Sequence, residues 1–299
     1  MVSICIGLYN AAEFISETLD SIKAQTYQDF ECVMVDDHST DDTVAIVSRY
    51  CKEDPRFKLI VNMTDVAYKD SHNLSYRLAK GKYLFRCDNE DVMEPTWLEE
   101  MVSFMDDNPG VDVGWCEINR FVKEDDGWKV YPFIRKENDS EYLEELETKP
   151  CVYFHHASID QYWITWHNQS SVIRKSFLDQ HPYLEYFVST MGDYIFWHGV
   201  AAYDGRFRKY DRTLITTRTK PTSLCRTGEL YKKLTNLAQY YIAYFKQVCF
   251  FKYAAQERDE NKRNEYNSCG RLFMNTAEYF KDELKKENKW EEVPERFRI

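Results

Sequence analysis

Residues 2–8, Val-Ser-Ile-Cys-Ile-Gly-Leu, are almost continuously apolar over a strand's length and read as a buried strand. Asn10 stands three residues before Glu13, as in a capping box, and Phe14, Ile15, Leu19 and Ile22 then share one helical face. The pattern repeats. Phe30–Val35 reads as a second strand running into Asp36-Asp37, and Ser39 and Thr40 are placed to cap a helix through Val44, Val47 and Tyr50. A strand over Phe57–Val61, a helix around Asn73–Ala79, a break at Gly81 and a strand over Tyr83–Cys87 follow. That last strand meets Asp88-Asn89-Glu90-Asp91, Pro95 opens a helix to about Asp106, and Val111–Cys116 is a further strand.

Alternation of helices with near-continuously apolar strands predicts a parallel sheet covered on both faces. Ligands of such sheets gather outside the carboxyl ends of the strands, and both acidic clusters, 36–37 and 88–91, fall there. Residues 117–225 are less regular. They hold an acidic loop at Glu124-Asp125-Asp126, an acidic run over 137–147, an aromatic stretch from Tyr153 to Trp166, and a strand-like Ser-Ser-Val-Ile before Lys175-Ser176. The last 74 residues are helical by pattern, with Leu234, Leu237, Tyr241, Tyr244, Val248, Phe251 and Ala255 forming one apolar seam. That seam suits packing on the preceding domain, self-association, or, with Lys232, Lys233, Lys246 and Lys252 beside it, a membrane surface. The predicted organisation is a domain over 1–225, divided near 110, and a helical extension over 226–299.

Composition narrows the chemistry. The 299 residues include 10 glycines, against roughly 21 at average usage, and no two lie closer than four apart. Neither a dinucleotide fingerprint nor a P-loop can be written, so any phosphate is held without a glycine cradle. The net charge of −11 argues against nucleic acid. The excess is uneven: residues 226–299 are +3, which leaves −14 on residues 1–225. Nine cysteines without Cys-x-x-Cys spacing argue against structural zinc and a secreted disulfide framework. With no signal-peptide pattern and no long uncharged apolar run, a soluble cytoplasmic protein is expected.

Several carboxylates at the end of a buried strand repel one another unless a cation joins them. Asp88, Glu90 and Asp91 therefore suggest Mg²⁺ or Mn²⁺, held by few protein ligands and completed by substrate phosphates. A solvated acidic turn that caps the next helix is the competing reading. Asp36-Asp37 suit a base or a ribose hydroxyl, because carboxylates accept from N–H and O–H. The aromatics from Tyr153 to Trp166, with His155 and His156 among them, suit core packing, with one or two rings left to line an acceptor cleft.

Five ordered blocks resemble the amino-terminal half of family 2 glycosyltransferases. They are Val2–Asn10, Ser21-Ile22 to Gln25-Thr26-Tyr27, Phe30-Glu31 to Thr43, Asn73 with Ala79-x-Gly81-Lys82-Tyr83, and the acidic tetrad. The resemblance covers about 2–110 closely and 165–224 more loosely. It implies an α/β protein of GT-A type, a mostly parallel sheet flanked by helices, with the C-terminal helical extension added. It also implies inverting transfer of a sugar from a nucleotide diphosphate donor, with a UDP-sugar expected, to a glycan or lipid-linked acceptor in bacterial surface-polysaccharide assembly.

By position, Tyr9 would lie against the base, Asp37 would hydrogen-bond it, and Asp88 would reach the ribose or sugar. Glu90 falls where the family's metal-binding Asp stands, with Asp91 in support. Asp193, in Met191-Gly192-Asp193-Tyr194, matches the catalytic base, and Arg218 and Lys220 match the loop that closes over the diphosphate. The chain departs from the family at Glu90, at Ala67, at Gly192 and at Lys220, where a His is usual. Those at 90 and 192 motivate the alternative of a non-catalytic nucleotide-sugar- or glycan-binding protein. For residues 226–299 the apolar seam and its lysines suggest a peripheral membrane surface or a second copy as partner.

Overall fold

The computed structural model describes residues 1–62, 68–133, 139–148, 150, 168–181, 192–218, 236–293 and 295–298, without the side chains of 68–70, 139–142, 145, 168, 192–195, 198 and 296. One mixed sheet runs through them in the order β3 (Phe57–Val61), β2 (Phe30–Asp36), β1 (Val2–Leu8), β4 (Tyr83–Arg86), β8 (Val172–Arg174), β6 (Val113–Glu124), β9 (Phe207–Arg218) and β5 (Val92–Met93), with β7 (Gly127–Pro132) paired to β6. The predicted strands head the list: β1 (Val2–Leu8) and β2 (Phe30–Asp36) are buried at every position. They pair in parallel from Val2 opposite Phe30 to Leu8 opposite Asp36. β3 (Phe57–Val61) and β4 (Tyr83–Arg86) extend this parallel block on its two sides. A strand covered on both faces needs apolar side chains in both directions, which is why the sequence runs here do not alternate.

The helices α1 (Ile15–Lys23), α2 (Thr43–Glu53), α3 (Tyr68–Leu78) and α4 (Trp97–Asp107) connect these strands and cover them. α1 buries Ile15, Thr18, Leu19 and Ile22, the predicted face. The predicted caps are corrected. No side chain caps α1, and the first N–H of α2, Thr43 N, is taken by Asp41 Oδ1 at 3.0 Å, because Asn10, Ser39 and Thr40 bond across to each other's loop instead. At Gly81 a Cβ would stand 2.4 Å from the Ser3 nitrogen, so only glycine lets β4 start so close to β1.

Beyond β4 the sheet becomes mixed. The two-residue β5 (Val92–Met93) pairs with the far edge, and the strand expected over 111–116 is the first half of a longer one, β6 (Val113–Glu124). It returns as β7 (Gly127–Pro132), so the acidic loop at 124–126 is a hairpin tip. After α5 (Asp139–Thr148), β8 (Val172–Arg174) runs antiparallel between β4 and β6, and α6 (Lys175–Gln180) and α7 (Gly192–Ala202) follow. β9 (Phe207–Arg218) lies parallel to β6, and a bulge at Glu117 resets the register so that Phe121 falls opposite Arg218.

The chain ends in α8 (Asn236–Gln256) and α9 (Glu260–Lys286), packed along each other. The expected single seam on α8 is replaced by burial on most sides: Ala238, Tyr240, Tyr241, Ala243, Phe245, Cys249, Phe250 and Ala254 are covered, while Phe251 is 36% exposed. Helix α8 lies between α7 and α9 and so presents more than one apolar face. Its Tyr240, Tyr241 and Phe245 join the same core as Cys5, Leu84, Trp115 and Trp197. Cys5, Cys32, Cys51, Cys87, Cys116 and Cys269 are free thiols, whereas Cys249 is disulfide-bonded. Among the described residues no helix is long and apolar enough to cross a membrane.

Candidate active site

The parallel registers bring the carboxyl ends of β1, β2 and β4 to one edge, and two loops there are clipped together. Asp37 N donates to the Leu8 carbonyl at 2.8 Å. The Asn10 nitrogen donates to Ser39 Oγ at 2.9 Å, and Asn10 Oδ1 accepts from Thr40 N at 2.8 Å. Ala12 N donates to Asp41 Oδ2 at 3.1 Å. These bonds hold Asn10 (φ 47°) and His38 (φ 61°) in the left-handed region, a conformation that side chains adopt only where the surroundings enforce it. Asp36 is spent on the loop, accepting from Ser39 N at 2.9 Å and from Ser39 Oγ at 2.5 Å. Asp37 is 4% exposed beside it, and the Tyr9 ring stands out at 52% exposure.

Across from this clip, β4 ends in Arg86, a cation only 7% exposed. Its Nη2 lies 3.2 Å from Asp88 Oδ1. Asp91 is 1% exposed, and its Oδ2 has no hydrogen-bond partner among the described residues. Burial pushes the Asp91 carboxyl well above the usual carboxylate range, the charges of Asp88 and Glu90 add to the rise, and Arg86 opposes it. The floor is His72 of α3, whose ring packs so closely on β1 that a Cβ at Gly7 would be 3.2 Å from it. Burial, helped by Arg86 and opposed by Asp88, lowers His72 to about 3, so it is neutral near pH 7.

An orphaned, buried carboxylate oxygen among three acidic groups is the donor set of a hard divalent cation. Among the described residues no three His, Cys, Asp or Glu side chains converge as a closed metal cage. The residues therefore fit an ion that takes one or two protein oxygens and completes its shell from a ligand, and do not fit a structural metal.

Arg218, the last residue of β9, also reaches this edge. Its Nη1 donates to the Glu90 carbonyl at 3.1 Å and its Nη2 pairs with Glu17 of α1 at 2.7 Å. Its guanidinium carbon sits 4.2 Å from the centres of the Phe14 and Phe121 rings and 5.2 Å from that of Trp128. Asp193 is the second residue of α7, inside the helix, not its cap, and its side chain lies outside the described residues. Lys220, Ala67 and the aromatic stretch 153–166 also lie outside them.

Tyr9, Asp37, Asp88, Glu90, Asp91 and Arg218 are thus brought to one edge. Sequence reasoning missed Arg86, His72, Glu17 and the three rings around Arg218. A signal existed for Arg86, a lone cation ending the otherwise apolar Tyr83-Leu84-Phe85. A cleft of about 490 Å³ opens instead at the opposite pole, lined by Lys80, Lys82, Arg174 and Lys175. Lys82 is paired there with Asp106 and Lys175 with Asp179, and the cleft lies away from the carboxyl ends.

A sheet of this order with acidic groups at its carboxyl edge defines a GT-A type glycosyltransferase fold. The model of glycosyl transferase family 2 matches residues 3–165, more than half of the chain, and the protein belongs to that family. It is similar to an uncharacterized glycosyltransferase of Haemophilus influenzae, 26% identical over 73% of this chain and 65% of the relative. It is also similar to Escherichia coli WfaP, a UDP-Glc:alpha-D-GlcNAc-diphosphoundecaprenol beta-1,3-glucosyltransferase, 33% identical over 36% of this chain and 41% of the relative. The chain thus spans less than two thirds of either. Among solved structures, S. aureus TarS with UDP-GlcNAc superposes with a TM-score of 0.65 at 17% identity, covering 99% of this chain and 82% of that one. The Pyrobaculum calidifontis mannosyltransferase PcManGT, with GDP-Man and Mn²⁺, gives 0.53 at 16%, covering 95% and 75%. These likenesses support the fold.

Proposed function

We propose that this chain transfers a sugar, with inversion, from a nucleotide diphosphate donor to a glycan or lipid-linked acceptor in surface-polysaccharide assembly, and that a UDP-sugar is the donor. The observation that carries the reading is the buried Asp91, whose Oδ2 has no partner among the described residues, close to Asp88 and Glu90 and at the same sheet edge as an exposed Tyr9 and a buried Asp37. Tyr9 would stack on the base, Asp37 would accept its N–H, and Asp88, oriented by Arg86, would accept from a ribose or sugar hydroxyl. Glu90, supported by Asp91, would hold Mn²⁺ or Mg²⁺, which when bound neutralises the diphosphate as it departs. Asp193 would take the proton of the acceptor hydroxyl as its oxygen attacks the anomeric carbon and the bond to the diphosphate breaks. Lys220 would stand by the diphosphate.

The names of the relatives and neighbours support the donor class, and the diphosphoundecaprenol acceptor in the E. coli relative's name supports a lipid-linked one. Such an acceptor would bring the chain to a membrane's cytoplasmic surface as a peripheral protein, with residues 226–299 making that contact or one to a second copy. A panel of sugar nucleotides in a thermal-shift assay, with Mn²⁺ and with EDTA, tests the reading, because a ligand that binds only the folded state raises the melting temperature. A rise with UDP-sugars that depends on Mn²⁺, followed by transfer that Asp193→Asn abolishes, is expected. No rise with any donor would overturn the proposal, and binding with no loss of sugar would identify a non-catalytic binding protein.

A further inference from the structure

Arg218 is placed like a phosphate clamp and built like something else. A cation that grips a diphosphate has to present its nitrogens to the ligand, yet the Arg218 side chain is 2% exposed. Reaching a substrate would cost it three aromatic contacts, the bond to the Glu90 carbonyl and the pair with Glu17. Each contact comes from a different part of the chain: Glu17 and Phe14 from α1 and its entry, Phe121 from β6, Trp128 from β7, Glu90 from the β4–β5 loop. Phe14 and Trp128 also meet edge to face at 5.8 Å, which closes the box around the cation.

The contact with residue 90 goes to its backbone. A hydrogen bond to the carbonyl fixes the peptide plane and hence the direction in which the Glu90 side chain leaves the chain, without occupying its carboxylate. That matters because glutamate has one more rotatable bond than the aspartate it replaces, and a carboxylate on a longer arm places a cation only if its root is rigid.

We propose that Arg218 is a positioning residue: boxed by Phe14, Phe121 and Trp128, it rivets the Glu90 peptide and thereby sets the affinity of the acidic loop for its divalent cation. This rests on the metal-site reading above and adds a residue that acts through Glu90 without touching the substrate. Partners that orient metal ligands typically change metal affinity by about 10–100-fold when removed.

The test uses Arg218→Gln, Arg218→Lys and the box variant Trp128→Leu, each first checked for a wild-type circular dichroism spectrum. Mn²⁺ binding is measured by calorimetry in the presence of UDP, UDP binding is measured alone in EDTA, and amide hydrogen exchange of residues 88–93 is followed in the ligand-free protein. Arg218→Gln should weaken Mn²⁺ binding about tenfold or more, leave metal-free UDP binding near wild type, and speed exchange over 88–93. Arg218→Lys, whose single nitrogen cannot stand where both Nη1 and Nη2 do, should fall between, and Trp128→Leu should move the same readouts less. Metal-free UDP affinity that falls as far as Mn²⁺ affinity, with Trp128→Leu silent, would show a direct diphosphate clamp and overturn the proposal. If the wild-type protein binds no Mn²⁺, the metal reading fails by itself. The exchange data then still decide: faster exchange in Arg218→Gln supports the rivet, and unchanged exchange overturns it.

Discussion

The first parallel block carries a buried acidic centre at each pole, and the protein treats the two in opposite ways. At the amino end of β2, Glu31 is 2% exposed and receives Ser3 Oγ at 2.7 Å, Lys80 N at 2.7 Å and Lys58 Nζ at 2.6 Å. Burial alone would raise its carboxyl, but these donors outweigh that and hold it below the usual range. At the carboxyl end of β4, Asp91 is as deeply buried, keeps an oxygen without a partner among the described residues, and is pushed up. A carboxylate that serves the fold is neutralised by the fold. One that is left unneutralised stores a destabilisation that a ligand can relieve.

The sharpest way to break this contrast is Asp91→Asn. Transfer should fall by about 10–100-fold, as for loss of a residue that supports a metal ligand. Above the usual carboxylate range of pH the ligand-free protein should become more stable by about 1–2 kcal/mol, because the cost of ionising this buried carboxyl is gone. Kinetics and denaturant unfolding on the same preparation read both, and a variant that loses stability refutes the contrast. Next is Glu31→Ala, which strands three donors and should cost about 3 kcal/mol. At a temperature where the variant is folded, its transfer rate should stay near wild type, so a lost rate would show that the amino pole is not purely structural.

The pH dependence of unfolding should separate the poles by sign. Glu31, lowered in the fold, contributes stability that is present above its unfolded pKa and is lost as pH falls through the folded one. Asp91, raised in the fold, costs nothing in acid and costs more as pH rises from its unfolded pKa toward its folded one. Denaturation midpoints from about pH 3 to 8 should therefore lose their acid limb in Glu31→Gln and their upward decline in Asp91→Asn. Lys58→Met gives the smallest effect. Its ammonium is half exposed, and a change of about 0.5–1 kcal/mol is expected by thermal melting, with no change in transfer.

Much of this was legible in the chain. Strands β1, β2 and β4 announce themselves because burial on both faces demands unbroken apolar runs, and the acidic residues that follow them mark the edge where ligands gather. The second half was harder for the same reason reversed. β9 mixes Arg208, Lys209, Asp211 and Arg212 with apolar residues because its first part is largely exposed, so neither an apolar run nor strict alternation appears. The capping residues misled because Asn10 and Ser39 have a partner loop that only the tertiary fold supplies. Arg218 lies at the carboxyl edge, but its box is assembled from residues about a hundred and two hundred positions away, and no local pattern records that.

The core shared by α8 with Cys5, Leu84 and Trp115 has a consequence for how this protein can change. A tail that merely leaned on the sheet could be traded between relatives like a handle. Here the tail is one wall of the room, and Tyr240 even donates its hydroxyl hydrogen to the Phe297 carbonyl near the chain's end. Whatever the C-terminal helices contribute is therefore inherited together with the sheet they close, and has to diverge in step with it.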